Sequence, residues 1–195
     1  MKTNRQRQIL EVLASELETK PGSRVTTATL ALAVGVSEAA LYRHFASKAK
    51  MFEALIEFAE DSIFSLFNQV MEEQKDARTR CLHLSTALLE FAERNPGIAR
   101  VLVGDILVGE HERLRVRVSR FFARVETQFK QVFREAALTD GRARESSTVA
   151  AMANLLLCVV AGRLDQFVRT DFEALPARGW ATQWQLLCAG LFQEG

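Results

Sequence analysis

Residues 26–45 read TTATLALAVGVSEAALYRHF, and this stretch decides the fold. Thr26 suits the N-cap of a short helix over about Thr27 to Val34, because its hydroxyl can accept from a backbone N–H that the helix leaves unpaired. Gly35 then breaks the helix; without a Cβ it readily takes the left-handed conformation in which helices commonly end. Ser37 with Glu38 opens a second short helix, ending near Phe45. Two short helices joined by so tight a turn form a helix-turn-helix. Leu30, Val34, Val36, Leu41 and Phe45 are spaced to close a small core between them, which leaves Ser37, Glu38, Ala39, Tyr42, Arg43 and His44 facing outward or to the rim.

The second helix of such a unit can lie in the DNA major groove while the first crosses the backbone. Small residues at Ser37, Ala39 and Ala40 permit close approach. Ala39 can meet a thymine methyl, and Arg43 can read guanine. Thr26, Thr27, Tyr42, His44 and Lys48 suit phosphate oxygens, contacts that position a protein without reading sequence. A purely structural helical hairpin is the alternative that the pattern leaves open.

Working outward, helical spacing recurs almost everywhere and period-2 alternation is not sustained. Ile9, Val12, Leu13 and Leu17 mark a first helix of about Arg5 to Thr19, stopped by Lys20-Pro21-Gly22-Ser23. Ser47 caps a long helix whose Met51, Phe52, Leu55, Phe58, Ala59, Ser62 and Ile63 keep one face largely apolar. A helix from about Ala77 to Arg94 is closed by Asn95-Pro96-Gly97, and a short helix or turn follows through Val101 and Leu102. Leu114 to Phe133 carry a long amphipathic pattern that Thr139-Asp140-Gly141 ends. The helix of about Ser147 to Arg169 is apolar nearly all round between Val149 and Ala161, which predicts burial from several sides. A last helix runs from about Trp180 to Phe192. The expected class is all-α, with a DNA-binding domain over 1–52 and a helical domain over 53–195.

The chain has 195 residues, 25 Lys+Arg against 24 Asp+Glu, and a net charge of +1. That total argues against a nucleic-acid partner only if the charges are mixed, and they are not. Residues 1–52 hold eight basic and four acidic side chains, a charge of +4; the remaining 17 basic and 20 acidic residues give −3. Cys81, Cys158 and Cys188 are odd in number and widely spaced, which fits a reducing cytoplasm better than a disulfide framework. His83 and His111 are isolated, so no metal site or cofactor is expected. No apolar leader follows Met1, and the longest uncharged span, 146–162, is short for a membrane span. P-loop, GxSxG and HExxH motifs are missing, so an enzyme is not expected. Arg113, Arg117, Arg120 and Arg124 form a basic stripe, read either as a solvated face or as a receiver for an acidic tail or phosphate.

The block Val36-Ser37-Glu38-Ala39-Ala40-Leu41-Tyr42-Arg43-His44-Phe45, followed by Ser47-Lys48 and a long helix, resembles the TetR family of DNA-binding proteins. That resemblance implies three DNA-binding helices, then a variable helical domain whose last two long helices pair two chains into a homodimer. Further words carry the likeness across most of the chain: Arg24-Val25-Thr26-Thr27-Ala28, MFEALIEF over 51–58, FAERNPG over 91–97, and Phe167-Val168-Arg169. These resemble the nucleoid-occlusion branch of the family. The branch implies a division inhibitor that binds palindromic sites on double-stranded DNA and there engages the tubulin-like protein FtsZ, disrupting its polymers over the nucleoid. By matched position, the FtsZ-facing residues implied are Phe58, Arg94 and Asn95. Ala46 departs from the branch, standing where its relatives usually carry proline. The competing expectation is a repressor released by a small hydrophobic ligand, bound near His83, Met152, Asn154 and Cys158.

Overall fold

The computed structural model describes residues 3–19, 25–139 and 145–192. These are all-α. Among them are α1 (Asn4–Thr19), α2 (Thr27–Val34), α3 (Glu38–His44), α4 (Lys48–Glu73), α5 (Ala77–Arg94), α6 (Pro96–Val103), α7 (Glu112–Thr139), α8 (Ser146–Arg169) and α9 (Trp180–Leu191). A single 3-10 turn, Asp105–Leu107, separates α6 from α7. The sequence pattern locates α1, α2, α3, α5, α8 and α9 to within a residue or so; it leaves the end of α4 open, reads α6 only as a short helix or turn, and misses the 3-10 turn. The expected stops at Lys20-Pro21-Gly22-Ser23 and Asp140-Gly141 lie outside the described residues.

The chain forms two compact units, and they are not cut at residue 52. The first comprises Met1–Asp61 with Arg94–Ser119, the second Ser62–Glu93 with Arg120–Gly195. The first unit gains its later segment because α6 packs along α1. Gly97 is buried there, and a Cβ on it would lie 2.0 Å from the Ala14 carbonyl oxygen. Asn95-Pro96-Gly97 therefore does more than stop α5. Pro96 opens α6, where its missing N–H costs nothing, and Gly97 lets two helix backbones touch. Arg100 reinforces the contact: its buried guanidinium donates to the Leu17 carbonyl at 2.9 Å and to Asp105 Oδ2 at 2.8 Å. Ile9, Leu13, Leu17, Met51, Phe52, Leu55, Ile56, Val101 and Leu114 fill the core of this unit.

Ion pairs tie α4 to the start of α7 within the same unit. Arg113 meets Glu53 at 2.5 Å, and Arg117 meets Glu60 at 2.6 Å. Half of the expected basic stripe is thus paired with acids of α4, although Arg113 stays exposed to solvent. Glu53 also takes Lys50 at 2.6 Å. That hydrogen bond, with the nearby charges of Arg113 and Arg117, holds the Glu53 carboxyl below its ordinary range against the opposing pull of burial.

In the second unit Phe67, Phe121, Phe129, Phe133 and Phe167 are fully buried. Arg124 lies 3.7 Å above the Phe64 ring, so its charge rests on an aromatic face. α8 buries Val149, Met152, Ala153, Leu156, Val160 and Leu164. Its opposite face, with Ala151, Asn154, Leu155, Cys158 and Gly162, is exposed. Burial from several sides is therefore not what the single chain provides; one face packs and the other stays open. By length and composition alone α8 could cross a membrane, its most apolar stretch having a mean hydropathy of 1.6. The residues expected to surround a hydrophobic effector do not gather on an interior cavity: Met152 is buried, while His83, Asn154 and Cys158 face outward.

Two glycines separate two kinds of constraint. Gly35→Ala should cost about 1–2 kcal/mol, the penalty of left-handed backbone for a residue with a Cβ. Gly97→Ala should cost more, because α6 must back away from α1. Urea unfolding of the two variants orders them, and equal costs would mean α6 withdraws freely. Glu53, whose carboxyl is held low, adds stability that is complete above its ordinary value of 4.5 and lost as pH falls through the folded value. Glu53→Gln should lower the neutral-pH melting temperature and flatten its decline below pH 4.5. An unchanged acid limb would show that the carboxylate adds nothing.

Candidate nucleic-acid interface

The head is built from caps. Thr26 accepts from the Thr29 N–H at 3.1 Å, while the Thr29 hydroxyl accepts from the Thr26 N–H at 3.0 Å, a reciprocal capping box at the start of α2. Gly35 ends α2 with φ +74°, and the Val36 N–H closes back onto the Ala31 carbonyl at 2.9 Å. A Cβ at Gly35 would meet nothing within 4 Å, so the demand there is purely conformational. The Ser37 hydroxyl then accepts from the Ala40 N–H at 3.2 Å and starts α3. Leu30, Val34, Leu41 and Phe45 are buried as expected, together with Ala31, while Val36 is half-buried.

α3 turns Ser37, Glu38, Ala39, Tyr42 and Arg43 to solvent, with His44 half-buried. The side chains of Arg43 and Tyr42 make no hydrogen bond or ion pair among the described residues. Of the other expected contacts, the side chains of Thr26, Thr27, Ser37, Glu38 and Lys48 are already engaged within the chain. Thr27 donates its hydroxyl to Glu38 at 2.6 Å, which ties the first turns of α2 and α3 together. Glu38 sits where a negative charge favours the helix dipole. The Thr26 hydroxyl is committed to its cap. Gln6 of α1 donates to the His44 carbonyl at 3.0 Å and so anchors the end of α3. Lys48 opens α4, but its ammonium lies 2.5 Å from Glu110 Oε1 and 5.5 Å from the centre of the Phe52 ring.

A groove of about 770 Å³ opens in the same unit, away from α3 in sequence but built on the same first helix. Gln6, Arg7, Leu10, Glu11 and Ala14 of α1 line one wall; Leu55, Glu57, Phe58 and Asp61 of α4 line another; Asn95 and Ile98 close it. Phe58 is half-exposed there. Of the three residues carried over as partner-facing, Phe58 and Asn95 thus share one groove, while Arg94 is exposed at the end of α5 beside it in sequence. The contribution of α1 is not legible in the sequence. Its pattern shows a buried stripe, and Leu10 with Ala14 lies one position off that stripe. The groove combines an apolar floor with the carboxylates of Glu11, Glu57 and Asp61.

Residues 9–55 match the family of bacterial regulatory proteins, tetR family, and residues 75–192 match a tetracyclin repressor-like C-terminal domain. The nucleoid occlusion factor SlmA of Shewanella pealeana is 54% identical over 193 residues, covering 99% of this chain and 98% of its own. The SlmA of Shewanella loihica is 55% identical over the same length and shares. Among solved structures, the MbdR regulator from Azoarcus sp. CIB superposes with a TM-score of 0.78 at 18% identity, over 94% of this chain and 96% of that one. FadR from Bacillus subtilis gives 0.73 at 14% identity, over 94% and 98%. At such identities those two likenesses speak for the fold alone. Full-length kinship at more than half identity, together with the capped helix-turn-helix, places the chain in the TetR family and, within it, among the SlmA nucleoid occlusion factors.

Proposed function

We propose that two copies of the chain bind palindromic duplex sites through α3, and that the bound dimer engages FtsZ through the groove of α1, α4 and α6 and breaks up its polymers over the nucleoid. The action is binding throughout, with no catalytic step. The observation that carries the FtsZ half is the meeting of Phe58 and Asn95 on one groove. Its apolar floor and acidic rim suit an extended segment bearing apolar and basic side chains. Pairing of two chains is supported by the open α8 face and by Leu186, exposed on α9.

Sedimentation of FtsZ polymers with GTP, with and without a palindromic duplex selected from random sequence, tests the whole proposal. A loss of polymer that needs both the protein and the duplex is expected; polymer unaffected by the pair would sink it. Phe58→Ala should abolish that loss and leave duplex binding intact. For the DNA half, about 8 phosphate contacts per dimer predict a log–log salt slope near −7. Arg43→Ala should cost ~1–3 kcal/mol and relax base preference at one position per half-site. Unchanged selectivity would remove Arg43 from base readout.

A further inference from the structure

Lys48 stands four residues beyond the end of α3, at the position expected to meet DNA phosphate, yet a carboxylate of its own chain already occupies it. Glu110 Oε1 lies 2.5 Å from the Lys48 ammonium, and both side chains are only about one-fifth exposed. The acid is held there by built structure. Gly109 turns the chain at φ +79°, and the Glu110 N–H donates to the carbonyl of fully buried Leu107 at 3.1 Å. The Phe52 ring flanks the ammonium on another side. Hydrogen-bond capacity does not keep a phosphate away, since an ammonium has three donors. Charge does: a phosphate oxygen approaching Lys48 meets a carboxylate already in contact with it, in a partly desolvated place where screening is weak.

We propose that Glu110 is a carboxylate gate on DNA binding, a stand-in for phosphate that the duplex must displace before Lys48 neutralises the backbone. This rests on the DNA-binding reading above. The gate acts on backbone contact, which carries no sequence information, so it weakens binding to every duplex by a similar factor. Indiscriminate binding is held down, and a site that offers base contacts to Arg43 makes up the difference.

The test uses the purified full chain and fluorescence anisotropy over a range of salt, with a generic duplex and with the selected palindrome. Glu110→Gln keeps the shape and removes the charge. It should tighten both duplexes by the same factor, about three- to tenfold per dimer, the size expected from freeing two partly buried ion pairs. The salt slope should stay within about 1 of the parent's, because Lys48 neutralises the same phosphate in both once the acid is displaced. With Lys48→Ala in place, Glu110→Gln should gain nothing. A gain that survives Lys48→Ala would overturn the gate, since the acid would then act by general repulsion. No gain in a variant that melts like the parent, while the parent binds duplex with a steep salt dependence, would overturn it as well. A parent chain that binds neither duplex would instead overturn the DNA reading beneath it.

Discussion

The first unit depends on one close approach. At Gly97 the backbone of α6 comes so near Ala14 of α1 that no side chain fits between them, and Arg100 fastens the contact by donating to the Leu17 carbonyl. Burying a guanidinium is costly unless its donors are met. Here Leu17 and Asp105 meet them, so the arginine acts as a bolt. Everything downstream in the unit inherits this geometry. α1 is fixed against α6, its Gln6 reaches the end of α3, and its outer side becomes a wall of the groove that holds Phe58 and Asn95.

Much of this was legible in the sequence, for physical reasons. The helix-turn-helix follows from local rules: a hydroxyl at a cap, a glycine at a left-handed end, apolar residues at helical spacing. Each of these is settled within five residues of chain, and α2 matches its expected limits. The outward face of α3 follows from the same periodicity. What the pattern cannot give is the identity of a distant partner. Gly97 reads as a helix stop because Ala14 is far away in sequence, and Lys48 reads as an open phosphate ligand because Glu110 is 62 residues distant. The reading of α8 as buried all round failed differently. Periodicity reports that a face is apolar, and leaves unsaid whether the chain or a second copy covers it.

The segregation of charge needs the same correction. Cutting the sequence at residue 52 gives a basic head and a mildly acidic remainder. In the folded first unit, however, Lys48 and Lys50 are met by Glu110 and Glu53, which lie past that cut. The field a duplex meets is therefore carried less by the lysines at the start of α4 than by Arg43, which α3 leaves unpaired among the described residues. Net charge per segment points to the right partner, while the ion pairs decide which cations are available to it.

α1 is only 16 residues long, and three of its sides are assigned. One side, with Ile9 and Leu13, fills the core; another receives α6 at Ala14; a third, with Gln6, Arg7 and Glu11, forms the groove wall and reaches α3. A helix so fully occupied keeps little neutral surface. Positions such as Gln8, Ser15 and Glu18 remain exposed outside these contacts. Change at Gln6 or Ala14 touches two duties at once, so the head and the groove are coupled through this one helix.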